Sequence, residues 1–163
     1  MDYSTATSWA LMIARALEAK QLRAPEILRE AGLDPGKLND PHARYPVSRM
    51  RELWTLAATR SGDPAFGLFA VRFWHPTTLQ ALGFAWIASD TLRDALQRAA
   101  RYLRLVSDAA MAQVADEDDC VSFYLRPNPG ACVAPEAEDA LWPCWSAPAA
   151  SASARSSTRR WSG

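Results

Sequence analysis

Few residues in this chain are of the types that carry acid–base, nucleophilic or metal chemistry. There are two histidines, His42 and His75, and neither has a cysteine or carboxylate nearby at metal-ligand spacing. The three cysteines, Cys120, Cys132 and Cys144, show no CxxC spacing, and an odd number is more typical of a reducing cytoplasm than of a disulfide framework. No GxSxG, HExxH or phosphate-binding glycine loop occurs. The sequence therefore predicts a cytoplasmic protein that is not an enzyme and that uses no cofactor or metal.

An aromatic and polar cluster is the first candidate for a binding site. Small-molecule pockets are mostly apolar, with a few placed polar groups. Between residues 69 and 102 the sequence carries aromatic, imidazole and phenol side chains that could line such a pocket. The candidates for contact with a small molecule are Trp74, His75, Trp86 and Tyr102. The alternative interpretation is that these side chains only fill the core or pack at the surface.

A polar stripe on one predicted helix is the second candidate. Arg93, Gln97, Arg101 and Arg104 lie on one helical face and could contact phosphates or a partner, although an ordinary solvated face has the same pattern. The formal net charge is zero, with 18 basic and 18 acidic residues. Duplex DNA is held mainly through neutralised phosphates, so binders usually carry a basic excess. DNA binding by this chain is therefore not expected.

Two predicted helices must position both candidate features. The run from Ala81 to Ala88 is apolar throughout, and a helix without a polar face is normally buried on all sides. We therefore predict that a helix over residues 79–88 forms the centre of the domain; it is too short to span a membrane. A second, amphipathic helix is predicted to begin at Thr91, which can cap it, and Asp94 and Arg98 are one turn apart and are expected to pair.

Further helices are predicted in the N-terminal part of the chain. Thr7 or Ser8 can cap the first helix and Ser48 the third, and Gly32 can end the second in a left-handed conformation. The predicted ranges are residues 7–20, 25–31, 48–61 and 65–71.

The pattern changes after Ser107. Alternating side chains over residues 111–115 and 120–125 predict a β-hairpin. Acidic residues from Glu136 then predict a helix that is stopped at Pro143. The Ala/Ser/Arg-rich stretch that follows has no apolar period and is expected to be disordered. The predicted fold class is α+β: a helical N-terminal two-thirds, a hairpin of an incomplete antiparallel sheet, and a disordered tail, divided into residues 1–142 and 143–163.

Several short motifs resemble, in their order and spacing, a bacterial regulator family. They are Arg29-Glu30-Ala31-Gly32-Leu33-Asp34-Pro35, Tyr45-Pro46-Val47, Ser61-Gly62-Asp63-Pro64-Ala65-Phe66-Gly67, Leu82-Gly83-Phe84-Ala85 and Ser89-Asp90-Thr91-Leu92-Arg93-Asp94-Ala95-Leu96, followed by Arg101-Tyr102-Leu103-Arg104-Leu105. Together, over residues 5–141, they resemble the N-terminal, arabinose-binding-like regulatory domain of AraC-type transcription regulators. The resemblance implies an effector-sensing domain with a small-molecule effector and a homodimeric partner. It names no effector and assigns no ligand residue.

Two further expectations follow from this resemblance. Members of the family place a DNA-binding domain with two helix-turn-helix units after the regulatory domain, so we expect residues 1–142 to be an incomplete regulatory domain present without that unit. We expect residues 143–163 to be either the product of a reading-frame shift or a native linker.

A competing hypothesis makes the helices over 79–88 and 91–105 a helix-turn-helix module, with Arg93 and Gln97 as base readers.

Overall fold

Seven helices and two small antiparallel sheets make up the part of the chain that the structure describes. In this computed structural model the described residues are 2–79, 81–117 and 120–146. The helices are α1 (Thr7–Ala19), α2 (Ala24–Glu30), α3 (Val47–Ser61), α4 (Phe66–Ala70), α5 (Ala81–Ile87), α6 (Leu92–Val106) and α7 (Pro135–Ser146). The strands are β1 (Ser4–Ala6), β2 (Arg44–Pro46), β3 (Ala110–Glu117) and β4 (Cys120–Pro127). The α+β class is confirmed.

The larger of two hydrophobic clusters is built around α1. Ala10, Ile13 and Leu17 recur at helical spacing and are completely buried. They pack against the buried stripe of α3, which consists of Met50, Leu53, Trp54 and Ala57, and against α2 and α4. Helix α7 joins the same cluster through its contacts with α3 and α4. This first cluster, and not the predicted central helix, is the centre of the domain.

The cap residues predicted for α1 and α3 are wrong, although both helices form. Neither helix has a side-chain cap, because the N-cap positions are occupied by Ala6 and Pro46, whose side chains carry no hydrogen-bond acceptor. The Thr7 hydroxyl donates to the carbonyl of Asp40, and Ser48 donates to the Asp2 carboxylate. Both hydroxyls thus serve tertiary contacts, which a local capping rule cannot predict.

The second cluster is formed by α5, α6 and the hairpin of β3 and β4. The Thr91 cap is confirmed: its hydroxyl accepts a hydrogen bond from the backbone N–H of Asp94 at 3.1 Å. From there α6 buries a stripe made of Ala95, Leu96, Ala99, Leu103 and Val106. Strand pairs such as Ala112–Leu125 and Val114–Phe123 turn one face of the hairpin towards this cluster. The predicted hairpin is therefore present and packs on a helix.

The prediction that the central apolar helix is buried on all sides is wrong. In α5 the buried residues are Leu82, Gly83 and Trp86, whereas Phe84 and Ile87 are each 62% exposed. Among the described elements α6 packs closely against α5 and covers one side of it. Because burial depends on which elements lie next to a helix, an apolar run alone cannot show that every face is covered.

The predicted Asp94–Arg98 pair does not form. The Asp94 carboxylate accepts from the Thr91 hydroxyl at 2.7 Å. Arg98 instead donates to the carbonyls of Ala85 and Ala88, at 3.2 and 3.3 Å. These carbonyls lie at the C-terminal end of α5, where helix carbonyls lack partners and a cation is favoured. Arg98 thus ties α6 to the end of α5.

The small sheet of β1 and β2 is absent from the sequence-based prediction and joins the two clusters. Thr5 forms a bridge with Ser107, and its hydroxyl donates to the carbonyl of Val106. The backbone N–H and hydroxyl of Ser4 both donate to the Asp108 carboxylate. Arg44 on β2 adds bonds to Ser4 and to a carbonyl at the end of α6. We call this set of contacts the N-terminal junction.

Helix α7 packs against α3 and α4 and extends further than predicted. It runs through Pro143 to Ser146, so the predicted stop at Pro143 is wrong. An interior proline costs a helix about 3 kcal/mol, and packing on two neighbouring helices offsets that cost. The tail predicted to be disordered lies, from residue 147 onwards, outside the described residues. The same holds for most of the stretch assigned to a reading-frame shift.

Candidate functional site

A cavity of about 110 Å³ lies where the two hydrophobic clusters meet. The first cluster contributes side chains of α1 and α3, the second contributes α6 and the hairpin, and the start of α7 adds a further wall. Its lining residues are Thr5, Trp9, Val47, Met50, Arg51, Trp54, Leu79, Leu103, Val106, Ser107, Ala109, Ala110, Leu125, Val133, Ala134 and Ala137. The cavity therefore touches most of the elements that hold the domain together.

Helix α3 supplies the most regular wall of the cavity. Val47, Met50, Arg51 and Trp54 are spaced by one or two turns and so lie on a single face. Three of these residues are apolar and buried. Arg51 is the exception, since it is exposed to solvent. The sequence carries a signal for this face, because one arginine interrupts an apolar stripe, but such a stripe by itself indicates only a helix that packs on the core.

Polar groups are scarce in the cavity wall: apart from the tryptophans Trp9 and Trp54 it has three polar side chains, and each of the three makes a hydrogen bond within the protein. The Thr5 hydroxyl donates to the Val106 carbonyl at 3.1 Å. The Ser107 hydroxyl oxygen accepts from the backbone N–H of Ala109 at 3.3 Å. The third is Arg51, whose Nη1 lies 2.6 Å from the Cys132 sulfur. A ligand in this cavity would meet mostly hydrocarbon and one cation.

The four predicted contact residues lie outside the lining of this cavity. Trp74 is half-buried between the two clusters, and its indole N–H is buried without a hydrogen-bond partner among the described residues. Trp86 is a core residue of the second cluster. His75 and Tyr102 are exposed. The structure does not bring the four together around the cavity, and their role in binding stays a prediction.

The arginine stripe on α6 lies on the surface, as its helical spacing indicates. Arg93, Gln97, Arg101 and Arg104 are all exposed. Arg93 pairs with Asp116 on β3 at 2.8 Å, an exposed contact that adds little to stability. Within the part of the chain that the structure describes, no group of three or more His, Cys, Asp and Glu side chains could hold a metal ion. None of its helices is long and apolar enough to cross a membrane.

Comparison with known proteins identifies the family. No curated protein matches the chain. A family profile described as the arabinose-binding domain of AraC transcription regulators, N-terminal, matches residues 22–158. This range contains all the cavity-lining residues except Thr5 and Trp9, and it continues beyond Pro143. The family profile describes a ligand-binding domain of a regulator and not an enzyme. The match covers most of the chain, which therefore belongs to the family of arabinose-binding domains of AraC transcription regulators.

Proposed function

We propose that the domain senses a small-molecule effector that binds in the cavity between the two clusters. The observation that carries this proposal is the position of the cavity, since it is walled by both clusters and by α7. A ligand there would contact Met50 and Trp54 on one side and Leu103 and Val106 on the other. Its binding would therefore bias how the two clusters are arranged, which is what a sensor requires.

Helix α7 is the element that would report the bound state. Ala134 and Ala137, at the start of α7, line the cavity. Helix α4 contacts α7 closely: a Cβ added at Gly67 on α4 would lie 2.2 Å from the Glu136 carbonyl oxygen. Because α7 is held closely between the cavity and α4, a ligand that pushes on its first turn would shift the helix as a whole. We propose that α7 passes the signal on to the chain that follows it.

The chemistry of the wall favours an apolar effector over a sugar. The family is named for arabinose, a sugar with several hydroxyl groups. Each buried hydroxyl needs a hydrogen-bond partner, and losing one costs about 1–3 kcal/mol. Apart from the indole N–H groups of Trp9 and Trp54, the side chains of the cavity offer only Arg51 and two hydroxyls that already have partners. We therefore propose that the effector of this member is not arabinose.

A titration with simple probes tests the proposed function. Trp9 and Trp54 line the cavity, so binding is expected to change tryptophan fluorescence, and it should raise the melting temperature by mass action. The probes are phenol, benzyl alcohol, benzoate and L-arabinose. We expect at least one ring compound to act in both assays. A protein that responds to none of the four contradicts the proposal.

Two variants of β3 locate the response. Ala110→Leu places a larger side chain in the cavity, whereas Ala115→Leu is on the opposite face of the same strand. The first variant should lose the response to the ring compounds, and the second should keep it. Equal responses from two folded variants would show that the probes bind elsewhere.

A homodimer is the second part of the proposed function. Phe84 and Ile87 lie one turn apart on α5 and are each 62% exposed, and contiguous exposed apolar surface commonly marks an interaction site. We expect sedimentation equilibrium to show a dimer that the double substitution of both residues by serine dissociates. A wild-type monomer at tens of micromolar would contradict this.

DNA binding through α5 and α6 is the competing hypothesis. It requires Arg93 and Gln97 to read bases, and Arg93 is already paired with Asp116. The zero net charge also favours the sensing function. A gel-shift titration with duplex DNA at low salt distinguishes the two, since only the competing hypothesis predicts salt-sensitive binding.

A further inference from the structure

We infer that the effector is a compact apolar anion, such as a small carboxylic acid with a single ring, whose acidic group is bound by Arg51. This inference rests on the proposed function, because it names the ligand class of the same cavity. It draws on three observations: the size of the cavity, the place of Arg51 in its wall, and the unused hydrogen-bond donors of that side chain.

The size of the cavity limits the apolar part of the ligand. The volume is about 110 Å³. An apolar cavity of about 150 Å³ in another protein holds benzene. The cavity between the clusters is therefore suited to an apolar body of at most about one ring, or to a short branched chain. A long acyl chain or a fused ring system would have to push the clusters apart.

The position of Arg51 places the charge of the ligand at the cavity opening. Every other lining residue is buried or half-buried, whereas Arg51 is exposed. Arg51 therefore lies where the cavity meets solvent, with its guanidinium against Cys132, the neighbour of the lining residue Val133, and the deeper wall is mostly hydrocarbon. An anion bound there keeps part of its hydration, so it avoids the large cost of full charge burial. The arrangement orients a ligand with its apolar end inwards.

The hydrogen-bond donors of Arg51 are largely unused within the chain. Among the side chains that the structure describes, no carboxylate lies within ion-pair distance of Arg51, and its hydrogen-bond contact is to the Cys132 sulfur. By contrast, Arg60 and Arg93 are both paired with acidic residues. A guanidinium carries five N–H donors in a planar fork that fits a carboxylate through two bonds. Arg51 is thus a cation at the cavity opening with donors to spare.

Benzoate and benzamide provide a direct test, because they have nearly the same shape and differ in charge. We expect wild-type protein to bind benzoate at least about tenfold more tightly than benzamide, since a charge-assisted bidentate pair is worth about a factor of ten or more. Added salt should weaken benzoate binding and leave benzamide binding unchanged. Tryptophan fluorescence and the melting temperature report both ligands.

Variants of α3 assign the preference to one side chain. Arg51→Met should lower benzoate affinity about tenfold and change benzamide affinity by less than about twofold. Arg51→Lys should recover part of the loss, because lysine keeps the charge but not the fork. Arg49→Met is the control: it removes an exposed arginine that does not line the cavity, and both affinities should remain.

The outcomes separate this inference from the proposed function. Equal affinity for benzoate and benzamide, or an unchanged preference in Arg51→Met, overturns the anion inference and leaves the cavity as a binding site. Tighter binding of L-arabinose than of benzoate also overturns it. Binding of phenol or benzyl alcohol without binding of benzoate overturns the anion inference alone. If none of these compounds binds, the proposed function fails and the inference fails with it.

Discussion

Gly67 has no room for a side chain. A Cβ at this position would lie 2.2 Å from the backbone carbonyl oxygen of Glu136, and backbone cannot rotate away as a flexible side chain can. Glycine is therefore required at this contact between α4 and α7. Its neighbour Phe66 is completely buried, so α4 cannot move aside without disturbing the first cluster.

We predict that Gly67→Ala destabilises the protein by about 1–3 kcal/mol, the range for overpacking. Urea denaturation followed by circular dichroism measures this. Gly62→Ala is the control: its φ of 63° is left-handed, but nothing lies within 4 Å of the added Cβ. That variant should lose about 1 kcal/mol from backbone strain alone. If Gly67→Ala were as stable as wild type, α7 would not pack on α4 as observed.

Tyr45 makes the free energy of unfolding depend on pH in the alkaline range. Burial, together with the negative charge of Asp34, raises the pKa of Tyr45 to about 12, and the phenol donates to the Asp34 carbonyl. In the unfolded chain this phenol ionises near its ordinary value of 10. The neutral, folded form therefore contributes stability that is fully present below pH 10 and is lost as pH rises towards about 12.

Tyr45→Phe removes both the hydrogen bond and the titration. We predict a loss of about 1 kcal/mol at neutral pH. The difference from wild type should shrink as pH rises from 10 to about 12, because the wild type alone loses the contribution of Tyr45. Urea denaturation midpoints for both proteins over this range provide the measurement. A difference that is independent of pH would contradict the assignment.

At the scale of elements, sequence patterns predicted the helices and the hairpin. They did not predict which elements pack or pair with one another. The apolar spacing of α3 and α6 and the alternation in β4 are local signals, and each element formed close to its predicted range. The strands Ser4–Ala6 and Arg44–Pro46 are only three residues long and pair across about forty residues. No alternating pattern can develop over so short a run.

The cavity was unpredictable for a related reason. Its lining residues come from positions between 5 and 137, so it exists only through tertiary packing. The local signal was available in α3, where Arg51 stands beside Met50 and Trp54, but an arginine in an apolar stripe is also common at a solvent boundary. The predicted aromatic cluster pointed instead to Trp74 and Trp86, which pack in or against the hydrophobic clusters.

The two faces of the α5–α6 pair can be tested with aromatic substitutions. Trp86 is 7% exposed and Tyr102 is 41% exposed. We predict that Trp86→Ala costs about 3–5 kcal/mol, and that Tyr102→Ala costs about 1 kcal/mol or less. Thermal or urea unfolding gives both values. Comparable losses would mean that the face of α6 assigned to solvent is covered.

At the scale of the whole molecule, the N-terminal junction holds the two clusters together. The Asp108 carboxylate accepts from the backbone N–H and the hydroxyl of Ser4 and lies near Arg44. We predict that Asp108→Ala costs about 1–3 kcal/mol, because it leaves the partly buried N–H of Ser4 without its acceptor. Hydrogen exchange should become faster at Thr5 and Ala6 and remain unchanged in α2.

Asp40→Ala is the matched control for this experiment. Its carboxylate accepts a local bond from the backbone N–H of His42 in an exposed turn. Losing that bond should cost about 0.5 kcal/mol and leave exchange in β1 unaltered. Faster exchange of β1 in both variants would mean that β1 opens independently of the junction.

The junction also sets an order of events during synthesis of the protein. Ser4 and Thr5 pair with residues 106–108, so the first strand to leave the ribosome has no partner from the second cluster until about a hundred residues have followed. At about 5–20 residues per second, this delay lasts several seconds. Helices α1 to α4 can assemble in that time, whereas the cavity, which needs Thr5, Val106 and Ser107 together, forms only afterwards. A nascent chain released before Asp108 would therefore carry helices α1 to α4 without this cavity.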